Sequence, residues 1–299
     1  MEILPDFEEP RASTGDAFSD AVTVSFGDPD RGLFGTLRLG LVAGTQASGL
    51  VLLFHGDEIA AVCAEGSVET AEADSWSTIG AAGIDLQTVE PLHSWRVSWA
   101  GDDASLDLEL KACGAAGALA EKSPVAKLGG MAGYEQPLRV RGSAQIGGTR
   151  LRIDGLGQRG RSWGDPNWAG ISRTRTVSAW FGDRALTLAA ITPDRTDGHG
   201  SDAIAATMFS PGPGGAPVAV PVADPRISTT FDEDGRQLRA GLELWIDDDG
   251  PPLRANGEVL CGTTLDLGRL RLDTAFLRWH GPDGETGVGR YDMLRRADG

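Results

Sequence analysis

Strict alternation of apolar and polar residues is the feature that most constrains how this chain can fold. In Leu106-Asp107-Leu108-Glu109-Leu110-Lys111-Ala112 every apolar side chain falls on one face and every charge on the other. A strand with one buried face reads this way, because successive side chains point to opposite sides. The pattern returns in Leu238–Ile246, and in Leu138–Arg141 and Leu151–Asp154 around Gly147-Gly148, a two-residue connection of the hairpin type. Further strands are expected at Ala21–Phe26, Leu33–Leu41, Leu50–Phe54, Trp95–Trp99, Thr176–Phe181, Leu186–Thr192, Leu265–Leu272 and Val288–Leu294. Turn signals separate them: Asp28-Pro29-Asp30, Gly101-Asp102-Asp103, Asp232–Gly235 and Asp247–Pro251. No long window carries a capped helical period. The expected class is therefore all-β, a sandwich or barrel architecture.

A chain of 299 residues is long for one barrel, so two β units are expected. Alternation lapses in the Ala/Gly-rich stretch Cys113–Gly133, which sets the expected domains at 1–133 and 134–299. Loops are expected at Pro193–Asp202 and Ser210–Pro217. No short internal repeat is visible beyond a shared strand rhythm.

Charge and composition exclude several classes of function. The 27 Lys and Arg against 43 Asp and Glu leave a formal charge of −16, which disfavours a nucleic-acid partner. No apolar run approaches the roughly 20 residues of a membrane-spanning helix. The acidic start Met1–Pro10 lacks the basic and apolar regions of a signal peptide. Cys63, Cys113 and Cys261 are far apart and odd in number, so they read as reduced thiols of a cytoplasmic protein. The four histidines, His55, His93, His199 and His280, are scattered, and the acidic turn at Asp232 and Asp234 has Gly241 where a calcium loop ends in Glu. Neither a metal nor a cofactor is expected.

Two motifs match in letters only. Gly155-Leu156-Gly157-Gln158-Arg159-Gly160 has dinucleotide-fingerprint spacing, but Gly164 and Pro166 stand where its helix belongs. Gly160-Arg161-Ser162-Trp163-Gly164 has the spacing of a nucleophile elbow, with Asp183 and His280 in triad order, yet that corner also needs a following helix. A serine hydrolase using Ser162 is thus a remote alternative.

A longer run is more specific. Tyr134-Glu135-Gln136-Pro137-Leu138-Arg139-Val140-Arg141-Gly142 leads into Gly155–Trp168. This resembles the central signature of the AttH / hydroxyneurosporene synthase (carotenoid 1,2-hydratase) family, in which a Gly-x-Gly turn precedes an Arg-Asp-His-Ser-Trp-Gly-like run and a second tryptophan. Weaker similarities lie at Trp95–Asp103, Leu106–Ala112 and Gly287–Asp292. The resemblance implies two tandem lipocalin-like antiparallel β-barrels or half-barrels around an apolar ligand space. It also implies cofactor-free chemistry on isoprenoid or polyketide-like molecules, by hydration, cyclisation or isomerisation. The chain departs from the signature at one point: Gly160-Arg161 replaces the Asp-His pair, and an arginine is no proton donor at neutral pH.

Glu135 and Arg161 are the expected catalytic residues, Glu135 as the proton-transfer carboxyl and Arg161 as a charge-assisted donor to a substrate oxyanion. Arg159, Trp163, Trp168 and Trp180 are the expected substrate-binding residues, the indoles walling an apolar pocket. The ordinary role for Arg159 is a cross-strand pair with Glu135 or Asp154, and for the indoles core filling. The alternative function is a lipid- or isoprenoid-binding protein without turnover.

Overall fold

The computed structural model describes residues 2–71, 73–119, 122–194, 202–246, 250–282 and 284–297. It is built of two antiparallel sheets, each in its own compact unit. The first comprises β1 (Ser19–Asp28), β2 (Leu33–Val42), β3 (Gln46–His55), β4 (Glu58–Glu69), β5 (Ile84–Glu90), β6 (Ser94–Ala100), β7 (Ala104–Ala112), β8 (Gly117–Leu119), β9 (Met131–Ile146) and β10 (Thr149–Gly164). Its order is β4-β3-β2-β1-β10-β9-β7-β6-β5, with β8 on β9. The second comprises β11 (Ile171–Phe181), β12 (Arg184–Pro193), β13 (Ala203–Pro211), β14 (Pro217–Pro221), β15 (Asp224–Phe231), β16 (Gln237–Trp245), β17 (Leu253–Asp266), β18 (Leu270–His280) and β19 (Thr286–Arg296). Its order is β14-β13-β12-β11-β19-β18-β17-β16-β15.

The two orders are the same topology. Each sheet begins as a four-stranded meander, and the unit's last strand then pairs with its first. The internal repeat absent from the sequence is present in the connectivity.

Hydrogen bonds link the two ends of each sheet. In the first, Ala82 N–H, just before β5, donates to Glu65 Oε2 of β4 at 2.6 Å. In the second, the chain passes directly between edge strands: Val222 N–H donates to Ala206 O on β13, and Ala223 N–H to Trp245 O on β16, both at 2.9 Å. The concave faces carry the cores. One includes Val24, Phe26, Leu37, Leu53, Trp95, Val97, Leu108, Leu138 and Ile153. The other includes Val177, Leu188, Leu242, Leu277, Trp279 and Tyr291.

The long hairpin β9–β10 turns at Gly147-Gly148 as the sequence predicts, with φ of +52° and +84°, the doubly positive pattern of a tight hairpin turn. The domain boundary requires correction. The first unit is Met1–Ala120 with Met131–Pro166, and the second is Glu121–Gly130 with Asn167–Gly299. The expected break at 133/134 falls inside β9, because β9 and β10 are central strands of the first sheet, β10 pairing with β1. Alternation lapses near 120 because a short helix, α1 (Pro124–Gly129), interrupts the strands. Ser123 caps it by accepting from Ala126 N–H at 3.1 Å, and left-handed Gly130 ends it.

The expected strand Leu265–Leu272 is broken by a turn at 267–269, with Leu265 and Asp266 ending β17 and Leu270–Leu272 beginning β18. Asp266 Oδ1 accepts from Gly268 N–H at 2.8 Å, and Gly268 takes φ +78°. Residues 195–201, which include His199 and most of the expected loop Pro193–Asp202, lie outside the described residues, as do 247–249 of the expected turn Asp247–Pro251.

Candidate functional site

Strand parity divides the signature between two faces of the first sheet. Ile153 of β10 is in the core, so Arg159, Arg161 and Trp163 share its inward face. On β9, Leu138 and Val140 are in the core, so Gln136 and Tyr134 also face inward. Glu135, Gln158, Gly160 and Ser162 face the other way. Glu135 and Arg161, expected to act together, therefore stand on opposite faces of the sheet.

The inward side chains form a closed ionic cluster. A 3₁₀ turn at Pro5–Glu8 brings the Glu8 carboxylate in with no exposure. Arg159, equally buried, pairs with it at 2.6 Å, so the expected partners Glu135 and Asp154 are not the ones used. The Tyr134 hydroxyl donates to Glu8 Oε1 at 2.7 Å, and Trp95 Nε1–H donates to Oε2 at 2.9 Å. Arg161 pairs with Asp20 at 3.0 Å and donates to the carbonyls of Phe7, Glu9 and Ala21 at 3.2, 2.9 and 3.2 Å. Its guanidinium stacks over Trp76, and that of Arg159 over Trp95, at 4.5 and 4.9 Å. Trp163 packs with Phe18, Ala132, Tyr134 and Phe7, under the Arg11 guanidinium.

Burial sets the protonation states. It pushes the Tyr134 hydroxyl well above the usual phenol range, Arg159 opposing and Glu8 adding to the rise. It also lowers Arg161, against the pull of Asp20. This region is filled by the chain's own side chains. The expected ligand-holding roles of Arg159, Arg161 and Trp163 give way to fastening the amino-terminal segment into the end of the sheet. Sequence reasoning missed Glu8 and Asp20. A usable signal was present, since parity counted from Ile153 turns two arginines inward, and buried guanidiniums require carboxylates.

The outward face carries a polar stripe across adjacent strands. The Glu135 carboxylate is half-buried and accepts from Gln158 Nε2–H at 2.9 Å. It lies over Gly160, where a Cβ would come within 2.5 Å of its Oε2. Gln158 pairs with Ser25, and Ser25 with Thr36, whose hydroxyls are 3.2 Å apart. Ser162 lies within β10, which runs to Gly164 with no helix after it, so neither the nucleophile elbow nor the dinucleotide fingerprint is formed.

Trp168 and Trp180 belong to the second unit. Trp168 is half-buried in the turn before β11; Trp180 is buried on β11, on the face opposite Val177 and Ala179. The three indoles are thus divided between the units. Among the described residues, no His, Cys, Asp or Glu group could hold a metal ion, and no helix is long and apolar enough to cross a membrane.

Residues 7–297 match the family described as a domain of unknown function, DUF7064. The chain belongs to this family. This DUF7064 protein is similar in structure to a putative AttH from Nitrosomonas europaea, with 13% identity, a TM-score of 0.69 and 92% of each chain covered. It is similar to kievitone hydratase from Nectria haematococca at 12% identity and TM-score 0.68, over 98% of this chain and 93% of that one. CghA bound to Sch210972 matches at 10% identity and TM-score 0.64, over 94% and 89%. At these identities the likeness is one of fold, and the expected fold of two tandem lipocalin-like units holds for the DUF7064 chain. No curated protein matches its sequence.

Proposed function

We propose that this protein is a cofactor-free enzyme of specialised metabolism, related to the AttH / hydroxyneurosporene synthase group, that hydrates, cyclises or isomerises a bulky apolar isoprenoid or polyketide. Its fold likeness to a hydratase and to CghA over most of the chain supports an enzyme. The observation that carries the reading is the placement of Glu135, a half-buried carboxyl steadied by Gln158 in a stripe of hydroxyl and amide groups.

In a hydration, the protonated Glu135 carboxyl delivers its proton to one alkene carbon, leaving a cation on the other. Water adds to that cation, and the Glu135 carboxylate takes the surplus proton, restoring the starting state. The hydroxyls of Ser25 and Thr36 supply donors and acceptors that orient water. Arg161 takes no proton-transfer part and holds β10 in register through Asp20 and the amino-terminal carbonyls. The protein works in the cytoplasm.

The test is incubation with prenylated phenols and linear polyenes, followed by mass spectrometry. The expected result is a product heavier by one water, or an isomer of shifted retention, formed by the wild type and lost in Glu135→Gln. Turnover that survives Glu135→Gln overturns the assignment of Glu135.

A second reading, a binding protein without turnover, is favoured by Gly160-Arg161, which replaces the signature's Asp-His pair and whose arginine is locked in place. Tight ligand binding with recovery of unchanged molecule from wild type supports that reading and overturns the enzyme.

A further inference from the structure

The chain before β1 sends one buried side chain into the first unit. Of residues 2–17, Glu8 is buried and the others are exposed or partly so. Among the described residues no strand forms before β1. The hydrogen bonds from Phe7 N–H to Leu4 O and from Glu9 N–H to Asp6 O close within the segment's own turn. It therefore lies against the sheet without adding to any ladder.

The groups that receive Glu8 are built on the strands. Trp95 stands on β6, Tyr134 on β9 and Arg159 on β10. The Tyr134 hydroxyl and Arg159 Nη1 donate to Glu8 Oε1 at 2.7 and 3.1 Å, and Trp95 Nε1–H donates to Oε2 at 2.9 Å. Arg159 also donates to the Tyr134 oxygen at 3.0 Å and stacks over Trp95, so the donors hold one another. Three strands thus converge on one carboxylate that comes from outside the sheet. Donors fixed in advance bind a carboxylate at little ordering cost.

An apolar seat lies beside these donors. Ile3 and Phe7, both partly buried, pack against Phe18, Ala132, Tyr134 and Trp163, with the Phe7 and Trp163 rings 5.7 Å apart. Phe7 and Glu8 are consecutive, so the turn presents an aromatic body joined to an acid. Charge fits the same account. Arg159 pairs with Glu8 and Arg161 with Asp20, which leaves the cluster neutral. Loss of Glu8 alone strands a buried guanidinium, whereas exchange for another carboxylate does not.

We propose that residues 2–13 are a strap whose Phe7 and Glu8 occupy a carboxylate site made by Arg159, Tyr134 and Trp95, and that an arylalkanoic acid takes their place when the strap swings out. A tethered occupant competes with a free one at an effective concentration on the order of millimolar. The strap thereby sets a threshold below which the site stays closed. The site is independent of the Glu135 reading and needs no turnover.

The test uses the full chain with 3-phenylpropionate, 3-phenylpropanol and acetate, followed by titration calorimetry and by trypsin cleavage after Arg11. In the wild type, 3-phenylpropionate is expected to speed that cleavage at least fivefold, and 3-phenylpropanol to leave it unchanged. In Glu8→Ala the tethered competitor is gone. There 3-phenylpropionate should bind at least tenfold more tightly than to wild type and raise the melting temperature, and Arg159→Met in the same chain should abolish both effects. Acetate acting as strongly as 3-phenylpropionate would overturn the aryl-bearing ligand. Equal binding to wild type and Glu8→Ala, absence of binding to Glu8→Ala, or binding that survives Arg159→Met would overturn the site. If Glu8→Ala does not fold, the wild-type cleavage rate decides, and a rate that 3-phenylpropionate leaves unchanged overturns the strap.

Discussion

Arg159 and Glu8, 151 positions apart in sequence, meet as an ion pair of 2.6 Å with neither side chain exposed. Removing one partner of such a pair strands a charge in an apolar interior, at a cost of about 3–5 kcal/mol. Glu8→Leu should lower the free energy of unfolding by that order, read from urea denaturation. Glu8→Leu combined with Arg159→Met should recover much of the loss, because the double variant leaves no orphaned charge. A single variant within about 0.5 kcal/mol of wild type, the range of an ordinary surface substitution, would mean that the pair is not closed in solution.

Arg161 holds the same segment by geometry as much as by charge. Its fork reaches Asp20 and three backbone carbonyls at once, while Arg11 N–H donates to Asp20 Oδ2 at 2.8 Å. A lysine keeps the charge but loses the planar array of donors. Arg161→Lys should therefore cost about 1–3 kcal/mol from donors and acceptors left unmatched. It should also make the chain before β1 cleavable by trypsin at Arg11 under conditions where the wild type resists. Unchanged resistance would refute the clamp.

The chain has only two tyrosines, and burial raises both hydroxyls above the ordinary value of 10.0. Folding thus favours their neutral forms. Below pH 10 the phenols are protonated in both states and stability does not depend on them. Above it the unfolded chain ionises more readily than the native one, so stability falls as pH rises. The slope approaches about 1.4 kcal/mol per pH unit for each tyrosine. Absorbance at 295 nm at pH 11 should show less tyrosinate in the native protein than after adding denaturant. Equal tyrosinate in the native and denatured protein at that pH would contradict the buried placement of Tyr134 and Tyr291.

The parts of the fold legible in the sequence are those written with period two. Leu106–Ala112 alternates because β7 has one face on the core, and Gly147-Gly148 marks its turn because other residues resist positive φ. Leu265–Leu272 alternates through a reversal, where Asp266 and Gly268 outweigh the leucines. The domain boundary was hidden because strand pairing is non-local: β10 belongs beside β1, and no composition shift marks that. The candidate site divided for the same reason. Glu135 stands opposite Gly160 in the β9–β10 ladder, and Arg161, the next residue along β10, points to the other face. Glu8 and Asp20, which give the arginines their role, lie in a segment whose letters suggested only an acidic terminus.

Gly160 and Glu135 face each other across the β9–β10 ladder, and the glycine's missing side chain is the space in which the carboxylate lies. A Cβ at position 160 would come within 2.5 Å of Glu135 Oε2 and 2.6 Å of Oε1, too close to be tolerated in place. The obstructing atoms are the far end of a flexible side chain rather than backbone, so the strand can stay while the carboxylate moves. Gly160→Ala should therefore fold, losing about 1–3 kcal/mol, the usual cost of an overpacked site. It should displace Glu135 from Gln158 and reduce turnover of any substrate identified, in the same direction as Glu135→Gln. Gly133→Ala is the contrasting control. There a Cβ would meet the Arg161 backbone carbonyl oxygen at 2.1 Å, an atom that cannot swing aside, so that variant should destabilise the first unit far more. Equal losses of stability in the two variants would show that the Glu135 carboxylate is not the group resting on Gly160.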